Sequence, residues 1–156
     1  MLLLLALCRT AAAAELVGSI VPPYPPGTAT RNAACIGRQL DPPGNSGCRF
    51  TVGILETAGT YTWVYAARLD HYSGKKAFFR VTDAIPYPAV PQGYYLAFGL
   101  CRVNGERDDT VIAVVRRSAE EWHGDAVWAQ KVELPAGKWK VIAPGNIECL
   151  NEDGDS

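Results

Sequence analysis

The sequence predicts a mainly β protein, a single antiparallel β-sheet domain of about six or seven strands with hairpin and meander connections. Apolar and polar side chains alternate with a period of two in most segments from Tyr61 onward. No window of ten or more residues holds the 3.6-residue apolar period of an amphipathic helix, so we expect at most one short helix. Gly, Pro and Asn separate the alternating segments and mark the turns.

The most apolar stretch, 93–117, reads as two strands joined by a turn at Asn104-Gly105. In its first half large and small side chains alternate, so that one face carries Tyr94, Leu96, Phe98 and Leu100 and the other carries Tyr95, Ala97, Gly99 and Cys101. That alternation predicts a core on one side and a close neighbour on the other. Val111–Val115 is apolar at every position, which predicts an interior strand covered on both faces.

Further strands are predicted on both sides of this stretch. Residues 50–55 form a short candidate strand, and 61–69 and 77–85 read as a hairpin with Phe79, Val81 and Ile85 on one side. Residues 126–134 and 139–142 form a second hairpin. Before this second hairpin, Ser118–Trp122 has the spacing of a capping box, which predicts one or two helical turns.

The chain divides into four regions on composition. We interpret 1–14 as a signal peptide, because Leu2–Cys8 is apolar and Ala11–Ala14 supplies the small residues before a cleavage site. Two features depart from an ordinary signal: no cation precedes the apolar run, and Arg9 follows it closely. The alternative is a cytosolic chain with an apolar tail. We expect 15–50 to be an extended arm rich in Pro and Gly, 51–150 to be the β domain and 151–156 to be a frayed acidic tail.

Cysteine usage favours export to the periplasm or secretion. Removal of the signal peptide leaves four cysteines, none of them spaced as CxxC, and four cysteines allow three pairings. We predict Cys35–Cys48, because it closes a turn-rich loop that has no core of its own. We predict Cys101–Cys149 as well, since it would tie the central strand to the last segment.

Charge and motifs exclude several classes of function. The formal net charge is -1, with acidic and basic residues intermixed, so nothing resembles the basic stripe of a nucleic-acid binder. The N-terminal apolar run is too short for a membrane span, which needs about 20 residues. We find no metal-ligand spacing and no phosphate-binding or dinucleotide motif, and we therefore predict no metal, no cofactor and no nucleic-acid partner.

Catalytic groups are sparse in the sequence. Both histidines, His71 and His123, lie next to turn signals and have no metal-ligand spacing. A small hydrolase acting on cell-wall or glycan material remains the alternative to a binding protein. It would use a pair of carboxylates drawn from Asp70, Asp83, Asp108, Asp109, Glu120 and Glu121.

Tyrosines at turns, prolines and strand ends are the candidate contact residues. Tyr and Trp supply large contact areas with a polar end, which suits binding to a protein or glycan. The candidates are Tyr24, Tyr72, Tyr87, Tyr94 and Tyr95, with Tyr87 held between two prolines in a rigid crossing at 85–94. We therefore predict a non-enzymatic binding or inhibitor-type protein whose partner is a protein or glycan of the cell envelope.

Overall fold

The computed structural model describes residues 13, 15–40, 44 and 47–152, and these residues form a mainly β protein with antiparallel sheets, as predicted. Apart from residue 13, the predicted signal peptide lies outside the described residues, as does 153–156 of the predicted tail. No helix among the described residues combines the length and the apolar character needed to cross a membrane.

The described residues contain thirteen strands in three sheets, more strands than predicted and not one sheet. In chain order the strands are β1 (Ile20–Val21), β2 (Thr28–Ile36), β3 (Phe50–Thr57), β4 (Thr60–Ser73), β5 (Lys76–Pro86), β6 (Tyr94–Phe98), β7 (Cys101–Val103), β8 (Glu106–Arg107), β9 (Val111–Arg116), β10 (Trp122–His123), β11 (Trp128–Glu133), β12 (Lys138–Val141) and β13 (Ile147–Leu150). A 3-10 turn at Arg38–Leu40 follows β2.

The three sheets are stacked in layers. The five-stranded sheet has the order β1-β5-β4-β3-β2, the middle sheet β12-β11-β9-β6, and the third sheet β10-β13-β7-β8. Val52 and Val64 of the five-stranded sheet share one buried cluster with Ile112 of the middle sheet. On the opposite face of the middle sheet, Ala113 packs in a second cluster with Ile147 of the third sheet. The middle sheet is therefore covered on both faces.

Strand β9 confirms the prediction of an interior strand. Five of its six residues, Val111–Val115, are each 0% exposed. The neighbouring strand β6 divides its side chains as the alternation predicts: Leu96 and Phe98 pack towards the five-stranded sheet. Ala97 packs towards the third sheet. Small side chains on that second face let the third sheet approach closely.

The predicted N-terminal arm supplies two strands of the five-stranded sheet. β1 pairs with β5, and β2 pairs with β3 along most of its length. Leu16 and Val21 pack with Tyr65 in a third cluster, which covers the outer face of this sheet. Burial raises the pKa of the Tyr65 hydroxyl above its ordinary value of 10.0. Residues 15–36 therefore complete the five-stranded sheet and cover its outer face.

Two details of the prediction are wrong. A bulge where Ala66-Ala67 faces Asp83 and Val81 breaks the alternation of β5. Val81 therefore packs on the outer face, whereas Ile85 packs towards the middle sheet, and the two do not share a side. No helix forms at Ser118–Trp122, because the Ser118 carbonyl accepts a hydrogen bond from Nε2 of buried His123 and the chain closes there as a loop.

Both predicted disulfides are present. Cys35–Cys48 joins the end of β2 to the residues before β3. Cys101–Cys149 lies in the third sheet, where the two cysteines also face each other in the β7–β13 pairing. Cys101 and Cys149 are each 1% exposed, so this bond is part of the core under the middle sheet.

A polar connection holds the five-stranded sheet to the hairpin β11–β12. The Asp83 carboxylate accepts hydrogen bonds from the Ala84 and Trp139 main-chain N–H groups, each at 2.9 Å. The Thr82 hydroxyl donates to the Gly137 carbonyl at 2.8 Å. Gly137 has a positive φ of 71° and lies against Thr82, so no larger residue fits there. Asp83 is therefore a structural link between sheets.

We expect Asp83→Ala to lower the free energy of unfolding by about 1–3 kcal/mol, because it leaves the Trp139 N–H without its acceptor between two sheets. Urea denaturation of the native chain and of the variant measures this loss. Glu133→Ala is the matched control, since Glu133 makes one exposed ion pair with Lys140 and should change stability by no more than about 0.5 kcal/mol. Equal losses in the two variants would contradict the structural role of Asp83.

Candidate functional site

A concave surface lies where two sheet edges of the described residues meet. β2 is the last strand of the five-stranded sheet, and β6 is the last strand of the middle sheet. A cavity of about 630 Å³ and another of about 380 Å³ lie along these edges and share Ala34, Phe98 and Glu152. We call this surface the edge groove. Both volumes fall in the usual range of binding sites, about 300–1,000 Å³.

Small side chains line the edge groove on the β2 side. Ala33 and Ala34 line it there, next to a bulge between Arg31 and Ala34. At the far end of β6 the two edges touch. Gly99 has a φ of 83°, and a Cβ built on it would lie 3.3 Å from the Ala34 Cβ. A side chain at residue 99 would be strained and would push the edges apart.

The outer edge of β6 presents main-chain groups to the groove. Arg117 N donates to Gly93 O, and Val132 N donates to Thr110 O. In an antiparallel sheet the main-chain N–H and C=O groups of successive residues point to opposite sides of the strand. These two bonds therefore mean that the main-chain groups of odd-numbered residues of β9 bond to β6, and those of even-numbered residues bond to β11. Ala97 faces Ala113 in that register, so Tyr95 and Ala97 bond to β9. The N–H and C=O groups of Leu96 and Phe98 then point away from β9, along the groove.

Two arginine side chains lie at one end of the edge groove. Arg38 and Arg107 both line the larger cavity and are exposed, and neither has an acidic partner among the described residues. Asp109 lies beside them, but its carboxylate already accepts hydrogen bonds from the main-chain N–H groups of Gly37 at 2.9 Å and Arg38 at 3.1 Å. This end of the groove therefore offers a ligand two guanidinium groups that have no acidic partner among the described residues, beside the carboxylates of Asp109 and Glu152.

Asp108 fixes the loop that carries this end of the groove. Its carboxylate accepts hydrogen bonds from the Thr110 N–H at 3.1 Å and the Thr110 hydroxyl at 2.5 Å, and from Lys131 Nζ at 2.7 Å. Burial by itself would raise the pKa of Asp108, but the bonds from Lys131 and Thr110 outweigh burial and hold that pKa below 3.8. Asp108 therefore joins the loop before β9 to β11.

Only one of the five predicted tyrosines lines the edge groove. Tyr95 does so, and its hydroxyl lies 2.8 Å from Nδ1 of His123. Because the other ring nitrogen of His123 donates to a carbonyl, Nδ1 is the acceptor in the neutral imidazole and Tyr95 donates to it. The Arg117 guanidinium lies 4.5 Å from the centre of the Tyr95 ring. Tyr94 begins β6, with its N–H bonded to Pro91.

The other three tyrosines are dispersed. Tyr24 packs on the outer face of the five-stranded sheet, its hydroxyl 3.3 Å from that of Tyr65. Tyr87 is half-buried, with its ring centre 5.1 Å from that of Tyr61, and it packs against the cluster between the first two sheets. Tyr72 is 52% exposed near the tip of the β4–β5 hairpin. The five tyrosines do not form one surface.

Four of the six carboxylates of the hydrolase hypothesis already have partners. Asp70 bonds to Arg80 and His71. Asp83, Asp108 and Asp109 each accept the hydrogen bonds given above, whereas Glu120 and Glu121 are exposed. Another cavity, of about 510 Å³, contains Asp125 and Glu148, each in an ion pair with an arginine.

The described part of the chain contains no site for thiol or metal chemistry. Cys101 is held in its disulfide, so it offers no thiol to a histidine. No group of three or more His, Cys, Asp or Glu side chains converges among the described residues.

The comparisons with known proteins add no assignment. A scan against models of protein families, a search of curated proteins and a search of solved structures found no match to this chain. The edge groove must therefore be interpreted from its own geometry.

Sequence reasoning did not find Ala33, Arg38 or Arg107. The groove depends on the meeting of two strands about 60 residues apart along the chain, and no local pattern reports such a contact. The one signal in the sequence was Gly99, whose small size on the second face of 93–101 predicted a close neighbour.

The lowered pKa of Asp108 predicts how the stability of the fold changes as the pH falls. A carboxylate whose pKa is lower in the folded chain than in the unfolded chain stabilises the fold above its unfolded pKa, and this contribution disappears as pH falls through the folded pKa. We therefore expect the native chain to lose more stability between about pH 6 and pH 3 than Asp108→Asn does. Urea denaturation at a series of pH values measures the difference, and parallel curves would contradict it.

Proposed function

We propose that this chain is an exported, non-enzymatic binding protein that holds an extended, acidic segment of a partner protein in the edge groove. The observation that carries the proposal is a strand edge with outward main-chain groups beside a groove with small side chains. An extended segment that binds such an edge adds a strand to the sheet through main-chain hydrogen bonds.

Charge supports an acidic segment. Arg38 and Arg107 lie at one end of the groove without an acidic partner among the described residues, and of the two carboxylates there, Asp109 and Glu152, the first already accepts main-chain N–H groups. Arginine binds a carboxylate through two parallel hydrogen bonds, which gives both affinity and direction. An acidic side chain of the partner would therefore fix the register of the bound segment.

Rigidity also supports binding. The Cys35–Cys48 disulfide holds the end of β2, and Asp109 fixes the turn at Arg38. A groove formed before its partner arrives requires less ordering on binding, so more of the contact energy appears as affinity. The two disulfides also support a location in the periplasm or outside the cell, where such bonds persist.

We expect Ala33→Trp to weaken partner binding at least tenfold, because the indole would occupy the groove. Ala29→Trp is the matched control: Ala29 is exposed on the same strand but does not line the groove, and its variant should bind like the native chain. The partner is captured from cell-envelope extract with the mature chain and identified, and its affinity for each variant is then measured by calorimetry.

The double variant Arg38→Glu/Arg107→Glu tests the charge of the segment. It should weaken binding at least tenfold, with a melting temperature close to that of the native chain, since both side chains are exposed. Equal affinity of Ala33→Trp and Ala29→Trp would contradict the groove as the binding site. Hydrolysis of cell-wall glycan by the mature chain, lost on substitution of one carboxylate, would favour the hydrolase.

A further inference from the structure

The tip of the β4–β5 hairpin extends beyond the five-stranded sheet. β3 pairs with β4 only as far as Arg68, and β1 pairs with β5 at Phe79 and Arg80. Between these points β4 and β5 pair only with each other, among the described strands. We call residues 70–78 the ribbon. Asp70 to Lys76 are all exposed, so the ribbon presents both of its faces to the surroundings.

Positive charge is concentrated at the ribbon. Residues 68–80 contain four cationic side chains, Arg68, Lys75, Lys76 and Arg80, and one carboxylate, Asp70, whereas the whole chain has a net charge of -1. Asp70 is already bonded to Arg80. Lys75 and Lys76, at the tip, have no acidic partner among the described residues. The charge that faces outward at the tip is therefore positive.

Aromatic rings lie directly behind these lysines on both faces of the ribbon. On one face His71 and Phe78 stack, with ring centres 4.7 Å apart and planes inclined by 3°. Neighbouring residues of a strand point to opposite faces, so Tyr72 lies on the other face. Tyr72 as a whole is 52% exposed. None of the cavities described above borders the ribbon.

We infer that the ribbon docks this protein onto an anionic lipid surface. Lys75 and Lys76 contact the lipid phosphates, and Tyr72 enters the interfacial layer, where an aromatic ring with a polar end is favoured. Cationic side chains near an anionic membrane each add to the affinity, and the combination with an aromatic contact supplies the second attraction that stable peripheral binding needs.

The arrangement favours lipid over a soluble anionic polymer. A single polymer chain contacts one face of a narrow ribbon, whereas lipid headgroups surround its tip and contact both faces. His71 already covers a face of the Phe78 ring, and Lys76 Nζ lies 5.2 Å from its centre. That ring is therefore poorly placed to stack on a sugar or a base.

Sedimentation with vesicles tests this inference. The mature chain is mixed with vesicles of phosphatidylglycerol and phosphatidylcholine, or of phosphatidylcholine alone, over a range of lipid concentrations. We expect binding to the anionic vesicles, a loss of at least tenfold in Lys75→Glu/Lys76→Glu, and a loss of severalfold in Tyr72→Ala. Added salt should weaken the binding of the native chain.

Arg116→Glu/Lys140→Glu is the matched control, because it makes the same change of net charge at exposed positions of the middle sheet. It should bind anionic vesicles within about twofold of the native chain. Ala33→Trp should also bind them normally, which separates this inference from the edge groove. Melting temperatures of all variants check that each one folds.

Three results would overturn the inference. The first is equal vesicle binding by the native chain and by Lys75→Glu/Lys76→Glu. The second is equal binding to neutral and anionic vesicles, which would remove the role of charge. The third is retention on heparin, lost in the lysine variant, without binding to any vesicle; the ribbon would then recognise a soluble anionic polymer.

Discussion

The burial of β9 on both faces is the constraint on which the rest of this structure depends. A strand with five consecutive residues at 0% exposure must have a layer of side chains above it and another below it. The five-stranded sheet supplies one layer and the third sheet supplies the other. Alternation along β9 divides its side chains between two clusters, with Ile112 in one and Ala113 in the other.

The same constraint places the edge groove. β6 lies beside β9 and shares its two-sided packing, so its large side chains are directed towards the five-stranded sheet. This brings the end of β6 against β2, and Gly99 allows the two edges to touch at Ala34. An exposed sheet edge invites pairing with other chains, and proteins usually obstruct such edges. β2 is interrupted by its bulge, while β6 keeps a regular register with β9 along its length.

Period-two patterns were sufficient to predict the fold class and both faces of β6, and an unbroken apolar run predicted the interior strand. The disulfides followed from loop composition and from the position of Cys101 in the central strand. The number of sheets did not follow, because the side-chain alternation of a strand shows which residues face a core but not which sheet supplies that core. The bulge opposite Ala66 and Ala67 moved Val81 to the outer face, and bulges leave little trace in alternation.

The candidate site was less predictable than the fold. Tyr95 was predicted because large aromatic residues at strand ends were expected to make contacts; it lines the edge groove, but its hydroxyl donates to His123. Tyr87 was a candidate contact residue because two prolines hold it in a rigid crossing, and its half-buried ring packs beside Tyr61. Arg38 gave no signal at all, since its position depends on Asp109, about 70 residues away, which bonds to its main-chain N–H. Contacts of this kind are set by tertiary structure and not by local pattern.

Amide hydrogen exchange along β6 tests the central claim most directly. If β6 presents an unpaired outer edge to the groove, the Leu96 and Phe98 amides should exchange much faster in the free protein than the Ala97 amide, which bonds to β9. Addition of the groove-bound partner should then slow Leu96 and Phe98 and leave Ala97 unchanged. Equal protection of all three amides in the free protein, with no change on binding, would contradict the account.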